Sequence, residues 1–202
     1  WSDSVPLTAN DFVYAFRRNL APEQNADLAH QLYCIQGAEE FHANENRNLS
    51  SVGIVAVDDF NLEFHLNRQT PFFPYLLATP ITFPQPAHTI EVHGSDWTLP
   101  GNLVCNGRYI VSEWHEGEEI RLIRNQNHFG FSQGNIDEVQ CKYLSPSIEH
   151  FENEQIDWSR IDDQPQVLHQ YPSNYQVLQY LQTFFVGFAC EQSPLDNPIV
   201  RS

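Results

Sequence analysis

Positive charge is scarce in this 202-residue chain: ten Lys and Arg stand against 26 Asp and Glu, giving a formal charge of −16. A field of that sign repels phosphate backbones and anionic membrane surfaces and offers no basic patch to release counterions, so nucleic acid is not an expected partner. Long apolar runs are missing as well. No stretch approaches the roughly 20 residues that a bilayer-spanning helix requires, and no basic segment followed by a short hydrophobic run opens the chain. The first residue is Trp1 and not methionine, so the chain is expected to be a mature or excised piece.

Catalytic and cofactor signatures are also lacking. There is no GxSxG elbow, no GxxxxGK phosphate loop, no GxGxxG fingerprint and no HExxH helix, so neither an enzyme nor a bound cofactor is expected. Cys34, Cys105, Cys141 and Cys190 have no CxxC spacing; they read as isolated buried thiols, with one or two disulfides in an oxidising compartment as the alternative. His88 and His93 lie five apart in a proline-flanked segment, a spacing that does not put two imidazoles on one helical face for a metal. Glu113, Glu116, Glu118 and Glu119 gather at a predicted hairpin tip, where a solvated turn is expected because catalytic carboxylates need a desolvating pocket. His42, His65, His150 and His169 are scattered singly.

What is present is a folding sequence. Hydrophobic residues make up 41% and aromatics 13%, enough to bury a core in one large or two small domains. Thr8 with Asp11 forms a capping-box pattern ahead of a helix whose Phe12, Phe16 and Leu20 recur every four residues and which stops before Pro22. A second helical stretch is predicted from about Ala26, carrying Leu28, Leu32 and Ile35 toward Gly37. Residues 52–57 and 62–66 read as a hairpin around Asp58-Asp59-Phe60-Asn61, with Leu62, Phe64 and Leu66 on the core face.

Prolines 71, 74, 80, 84 and 86 then punctuate a segment in which only Phe72 to Leu77 is predicted helical, and the last of them suggest a crossing between subdomains. A second hairpin runs from residues 108–111 through His115-Glu116-Gly117 to residues 120–123. A strand is predicted over 139–144, a helix capped by Ser145 or Ser147 up to Gln155, and a strand-rich stretch over 176–189. Strands mixed irregularly with helices, without a repeat, indicate a mixed α/β (α+β) architecture.

Several segments, in order along nearly the whole chain, carry a resemblance. They are Trp1-Ser2-Asp3 with Pro6-Leu7-Thr8-Ala9 and the helix from Asp11 to Arg18; Val52-Gly53-Ile54 with Asp58-Asp59; and Thr70-Pro71-Phe72-Phe73. Trp97 with Pro100-Gly101-Asn102, Asn106-Gly107-Arg108-Tyr109, Arg124-Asn125, Ile156-Asp157-Trp158 and Pro194-Leu195-Asp196 continue the pattern. Together they resemble the oligopeptide and dipeptide periplasmic binding proteins of ABC importers, the family 5 bacterial extracellular solute-binding proteins.

The resemblance implies a periplasmic-binding-protein-like lobe with an extra small subdomain. Residues 1–86 would form that outer subdomain without its N-terminal strands, and residues 87–202 part of the first ligand-binding lobe, the second lobe being absent. It further implies a monomeric carrier, periplasmic or extracellular and lipid-anchored in some full-length forms, which takes a peptide or peptide-like solute and presents it to ABC permease membrane subunits. The implied cleft edge comprises Phe184, Phe185, Val186, Gly187, Phe188 and Ala189, with Ile161 and Leu28 nearby. Here the sequence departs from the family. Ala189 and Cys190 stand where an asparagine pair is common, Gly187 and Ile161 where polar groups occur, Leu28 where an aromatic occurs, and Phe129-Gly130 where an aromatic precedes Asp or Asn. These departures leave room for an alternative, a ligand-sensing domain of the same fold in a transcriptional or signalling regulator.

Overall fold

The computed structural model describes residues 1–46, 48–130, 134–144, 148–158 and Ser173. The chain divides into two compact units, Trp1–Leu144 and Ser145–Ser202. The described residues of the first unit form four short to medium helices and two separate antiparallel sheets, a mixed α/β arrangement as the sequence indicates.

Helix α1 (Ala9–Leu20) starts where Thr8 and Asp11 place it. The Asp11 carboxylate accepts the Thr8 backbone N–H at 2.7 Å, which satisfies one of the donors left open at a helix start. Its apolar stripe is buried at Phe16 and Leu20, both fully inaccessible. Strands β1 (Ile54–Ala56) and β2 (Leu62–Phe64) form the first hairpin, with Ile54 opposite Phe64 and Ala56 opposite Leu62. The Asp58 side chain closes its turn by accepting from the backbone N–H groups of Phe60 (2.8 Å) and Asn61 (2.9 Å). Those bonds hold the Asp58 carboxyl below the ordinary carboxylate range.

The predicted second helix is replaced by shorter pieces. A 3₁₀ turn over Ala29–Leu32 is followed by an isolated bridge between Ile35 and Leu66, and helix α2 (Ala38–His42) begins only after Gly37. The break has two causes. Gly37 sits at φ +70°, and a Cβ there would collide with the Ser51 carbonyl. In addition, Gln36 donates to His65 O (2.9 Å), so backbone that a helix would consume is committed to pairing beside the hairpin.

Helix α3 (Phe73–Leu76) lies inside the segment predicted for it. Helix α4 (Ala87–His93) was not anticipated among the prolines; it starts directly after Pro86, where a missing N–H costs nothing, and buries Thr89 and Ile90. Asn19 and Arg18 on α1 tie down the intervening segment, Asn19 donating to Ile81 O (2.8 Å) and Arg18 to Gln85 Oε1 (3.1 Å).

The core joins α1, α2, α3 and the first hairpin through Val13, Phe16, Leu32, Ile35, Phe41, Ile54 and Phe73. Phe64 stands between Phe16 (ring centroids 5.4 Å) and Phe73 (5.0 Å), so one aromatic chain links three elements. The neighbouring residues Phe72 and Phe73 part company: Phe73 is buried and Phe72 is 57% exposed.

The second sheet is β3 (Tyr109–His115), β4 (Glu119–Arg124) and β5 (Glu138–Lys142) in that order. Its first turn carries Gly117 at φ +76°, as the sequence motif requires. A bulge at Ser112 shifts the β3–β4 register, so that Val111 faces Leu122 but Glu113 faces Arg121. In the second unit, helix α5 (Ile148–Glu152) lies within the predicted helix, whereas the Ser145 and Ser147 caps and the strands expected over 176–189 fall outside the described residues.

Candidate functional site

Of the implied cleft-edge residues, Phe184, Phe185, Val186, Gly187, Phe188, Ala189 and Ile161 lie outside the described residues. Leu28 is described; it precedes the 3₁₀ turn and is 44% exposed. Phe129, one of the departures, is 90% exposed and packs against His128 at 4.6 Å between ring centroids.

Three of the motifs that carry the resemblance meet in space in the first unit. The Trp1-Ser2-Asp3-Ser4 turn exchanges bonds with Cys105 (Ser2 N to Cys105 O, 2.8 Å; Cys105 N to Ser2 Oγ, 3.2 Å). Asn127 donates to Ser2 O (2.8 Å) and the buried Asn125 donates to Gly107 O (2.8 Å). His88 on α4 meets the Asp3 carboxylate at 2.8 Å. Burial pushes the Asp3 carboxyl up, but the His88 hydrogen bond, the Val5 N–H and the charge of His88 outweigh it and hold the group below its ordinary value. These are structural ties: every polar group named in them is spent on the protein itself.

A groove of about 1270 Å³ runs along α1, lined by Val13, Tyr14, Arg17, Arg18, Phe41 and Ile90 among others. The Arg17 Nε is buried there without a hydrogen-bond partner among the described residues. Arg18 is engaged with Gln85 and lies 5.9 Å from the Trp97 ring centroid. Burial raises the Tyr14 phenol, with Arg18 opposing. The lining mixes apolar side chains with two guanidinium groups, one phenol, the Glu23 carboxylate and the amides of Asn10, Gln24 and Asn44, a surface for contact.

Cys34, Cys105 and Cys141 are free thiols, Cys34 pushed up by burial; against the expectation of burial, Cys34 and Cys105 are only half-buried and Cys141 is exposed, while Cys190 falls outside the described residues. The acidic hairpin tip is solvent-facing as expected, but sequence reading missed what the register adds. His115 lies directly opposite Glu119, and the ligating atoms of Glu113, His115 and Glu119 all fall within 4.8 Å of one another. The signal was the spacing itself, since a three-residue turn centred on Gly117 sets 115 against 119. No described helix is long and apolar enough to cross a membrane.

Comparison with known proteins accounts for the motifs. The periplasmic oligopeptide-binding protein OppA of Escherichia coli K12 is 29% identical over 211 residues, covering the whole of this chain and 39% of that protein. A probable deoxycholate-binding periplasmic protein of the same organism, YgiS, is 28% identical over 208 residues with the same coverage. Among solved structures, the substrate-binding domain of a Bacillus anthracis oligopeptide ABC transporter superimposes with a TM-score of 0.77 at 26% identity, over 86% of this chain and 34% of that one. The chain thus spans about two fifths of the length of these curated relatives. The model of the bacterial extracellular solute-binding proteins, family 5 (middle), matches residues 1–202, and the chain belongs to that family.

Proposed function

We propose that this chain is part of the first lobe of the solute-binding component of an ABC importer, a carrier and not an enzyme. The observation that supports this most is the family match over all 202 residues, joined by relatives that are named as binding proteins for oligopeptides, dipeptides or deoxycholate. On this reading residues 1–86 form the small outer subdomain and 87–202 part of the ligand-binding lobe. The strand from Thr183 to Ala189 supplies one cleft edge, with Ile161 and Leu28 beside it.

The carrier works by closure. Two lobes close around an extended solute, and the closed form is what the membrane permease recognises. An extended peptide pairs its backbone with a strand edge, while its side chains enter roomy hydrated pockets. Gly187, Ile161 and Ala189 stand where peptide binders of the family can carry polar groups, and these departures count against peptide as the particular solute. The protein acts as a monomer outside the cytoplasmic membrane, periplasmic or extracellular, and lipid attachment of the longer polypeptide fits the same role.

Calorimetry with peptide pools tests the reading. The longer two-lobe protein should give saturable heat, and the 202-residue chain none, because half the cleft wall is lacking. Tight binding by the chain alone would overturn the cleft assignment; no binding of any peptide by the longer protein would overturn the solute class. Replacing Phe185 and Phe188 separately in the longer protein should lower affinity with little loss of stability at whichever residue faces the cleft.

A further inference from the structure

The hairpin of β3 and β4 places four charged or ligating side chains in two facing pairs: Glu113 opposite Arg121, and His115 opposite Glu119. Residues 113 and 115 alternate onto one face of their strand, as do 119 and 121 on theirs. The result is a patch on which one imidazole nitrogen and two carboxylates converge within 4.8 Å.

A cation already occupies this patch. Arg121 Nε lies 2.9 Å from Glu119 Oε1 and 3.6 Å from Glu113 Oε2, and His115 Nε2 lies 3.4 Å from the same Glu113 oxygen. The two carboxylates are thus arranged around positive charge, and they raise the Arg121 guanidinium above its ordinary value. Lys142 stands opposite Glu119 on β5.

We propose that this hairpin face binds a divalent transition-metal cation of the zinc type, with Glu113, His115 and Glu119 as protein ligands and Arg121 as the resident cation that the metal displaces. A mixed nitrogen and oxygen donor set suits zinc and its neighbours, whereas calcium and magnesium take oxygen alone. The ion pairs of Arg121 go to the two carboxylates, whereas a metal ion would gain a bond from the imidazole lone pair as well. Tetrahedral zinc with bonds of ~2.0–2.1 Å spaces its ligand atoms about 3.3 Å apart, so ligand atoms now up to 4.8 Å apart must close in by as much as ~1.5 Å. Half-exposed side chains can make that adjustment by rotamer change, His115 being 55% and Glu113 49% exposed. Water completes the coordination, and the acidic charge of the chain raises the local concentration of cations.

Zinc titration of the 202-residue chain, followed by calorimetry and by the imidazole resonances in a histidine-selective NMR spectrum, tests the site. One saturable event should shift His115 before His88 or His93. His115→Ala and Glu119→Gln should each weaken that event at least tenfold, and Arg121→Gln should strengthen it severalfold by removing the competitor. Circular dichroism of each variant verifies folding; the His115 side chain is 55% exposed, and Glu119→Gln, at a side chain only 21% exposed, keeps the volume of the residue. Unchanged affinity in His115→Ala, with shifts confined to other histidines, would overturn the site. Weaker binding in Arg121→Gln would overturn the displacement, since Arg121 would then be ordering the carboxylates and not competing for them.

Discussion

His88 Nε2 and the Asp3 carboxylate stand 2.8 Å apart and join the opening turn to α4 across 85 residues of sequence. Both side chains are about one third exposed, so solvent screening limits the pair to ~0.5 kcal/mol. Asp3 is held below its unfolded value, so its contribution is present above the ordinary carboxylate pKa and lost as pH falls through the depressed one. Thermal melts should therefore show Asp3→Asn less stable than the parent at pH 7, with the gap closing as the pH falls below the ordinary carboxylate range. A gap independent of pH would show that the carboxylate charge is not what holds the turn.

Gly37 and Gly117 both have positive φ but differ in surroundings. Gly117 faces open space, so Gly117→Ala should cost only the backbone penalty of ~1 kcal/mol. At Gly37 the added methyl meets the Ser51 carbonyl, and Gly37→Ala should cost more than about 2 kcal/mol in urea unfolding. Equal losses would mean that the loop around Ser51 yields freely.

The aromatic chain offers a paired test. Phe16→Ala removes a fully buried ring in contact with Phe64 and should lose about 3–5 kcal/mol. Phe72→Ala, next to buried Phe73 but itself 57% exposed, should change stability by no more than ~0.5 kcal/mol.

Asp11→Ala should destabilise α1 by ~1 kcal/mol, because the Thr8 N–H loses its 2.7 Å acceptor at a partly buried helix start. Hydrogen exchange should then quicken first at the amides of residues 8–11, ahead of global unfolding.

The parts legible in the sequence were those with a local physical signature. The Thr8 and Asp11 cap, the Asp58 turn and the Gly117 turn appeared where residue chemistry placed them, and the helix stripe did so at Phe16 and Leu20, with Val13 and not Phe12 buried ahead of them. What was not legible depended on distant partners. The helix expected through Leu32 and Ile35 gave way because Ile35 bridges Leu66 and Gln36 bonds to His65, neither of which periodicity can see. Proline density hid α4, since Pro86 reads as a breaker until it is recognised as a helix start. For the site, sequence placed the acidic tip correctly in solvent but not the meeting of His115 with Glu119, and of the cleft edge only Leu28 is described.

The single extra residue at Ser112 works as a phase correction for everything that follows it on β3. Its hydroxyl is fastened to Arg121 O at 3.2 Å, and beyond it Trp114 meets Ile120 while Glu113 meets Arg121. Were Ser112 instead paired with Arg121 in regular register, the strand beyond it would be transposed by a side chain, setting an indole against Glu119 and a carboxylate against Ile120. One hydroxyl-bearing residue thus decides which neighbours the tip of the ribbon is allowed to have.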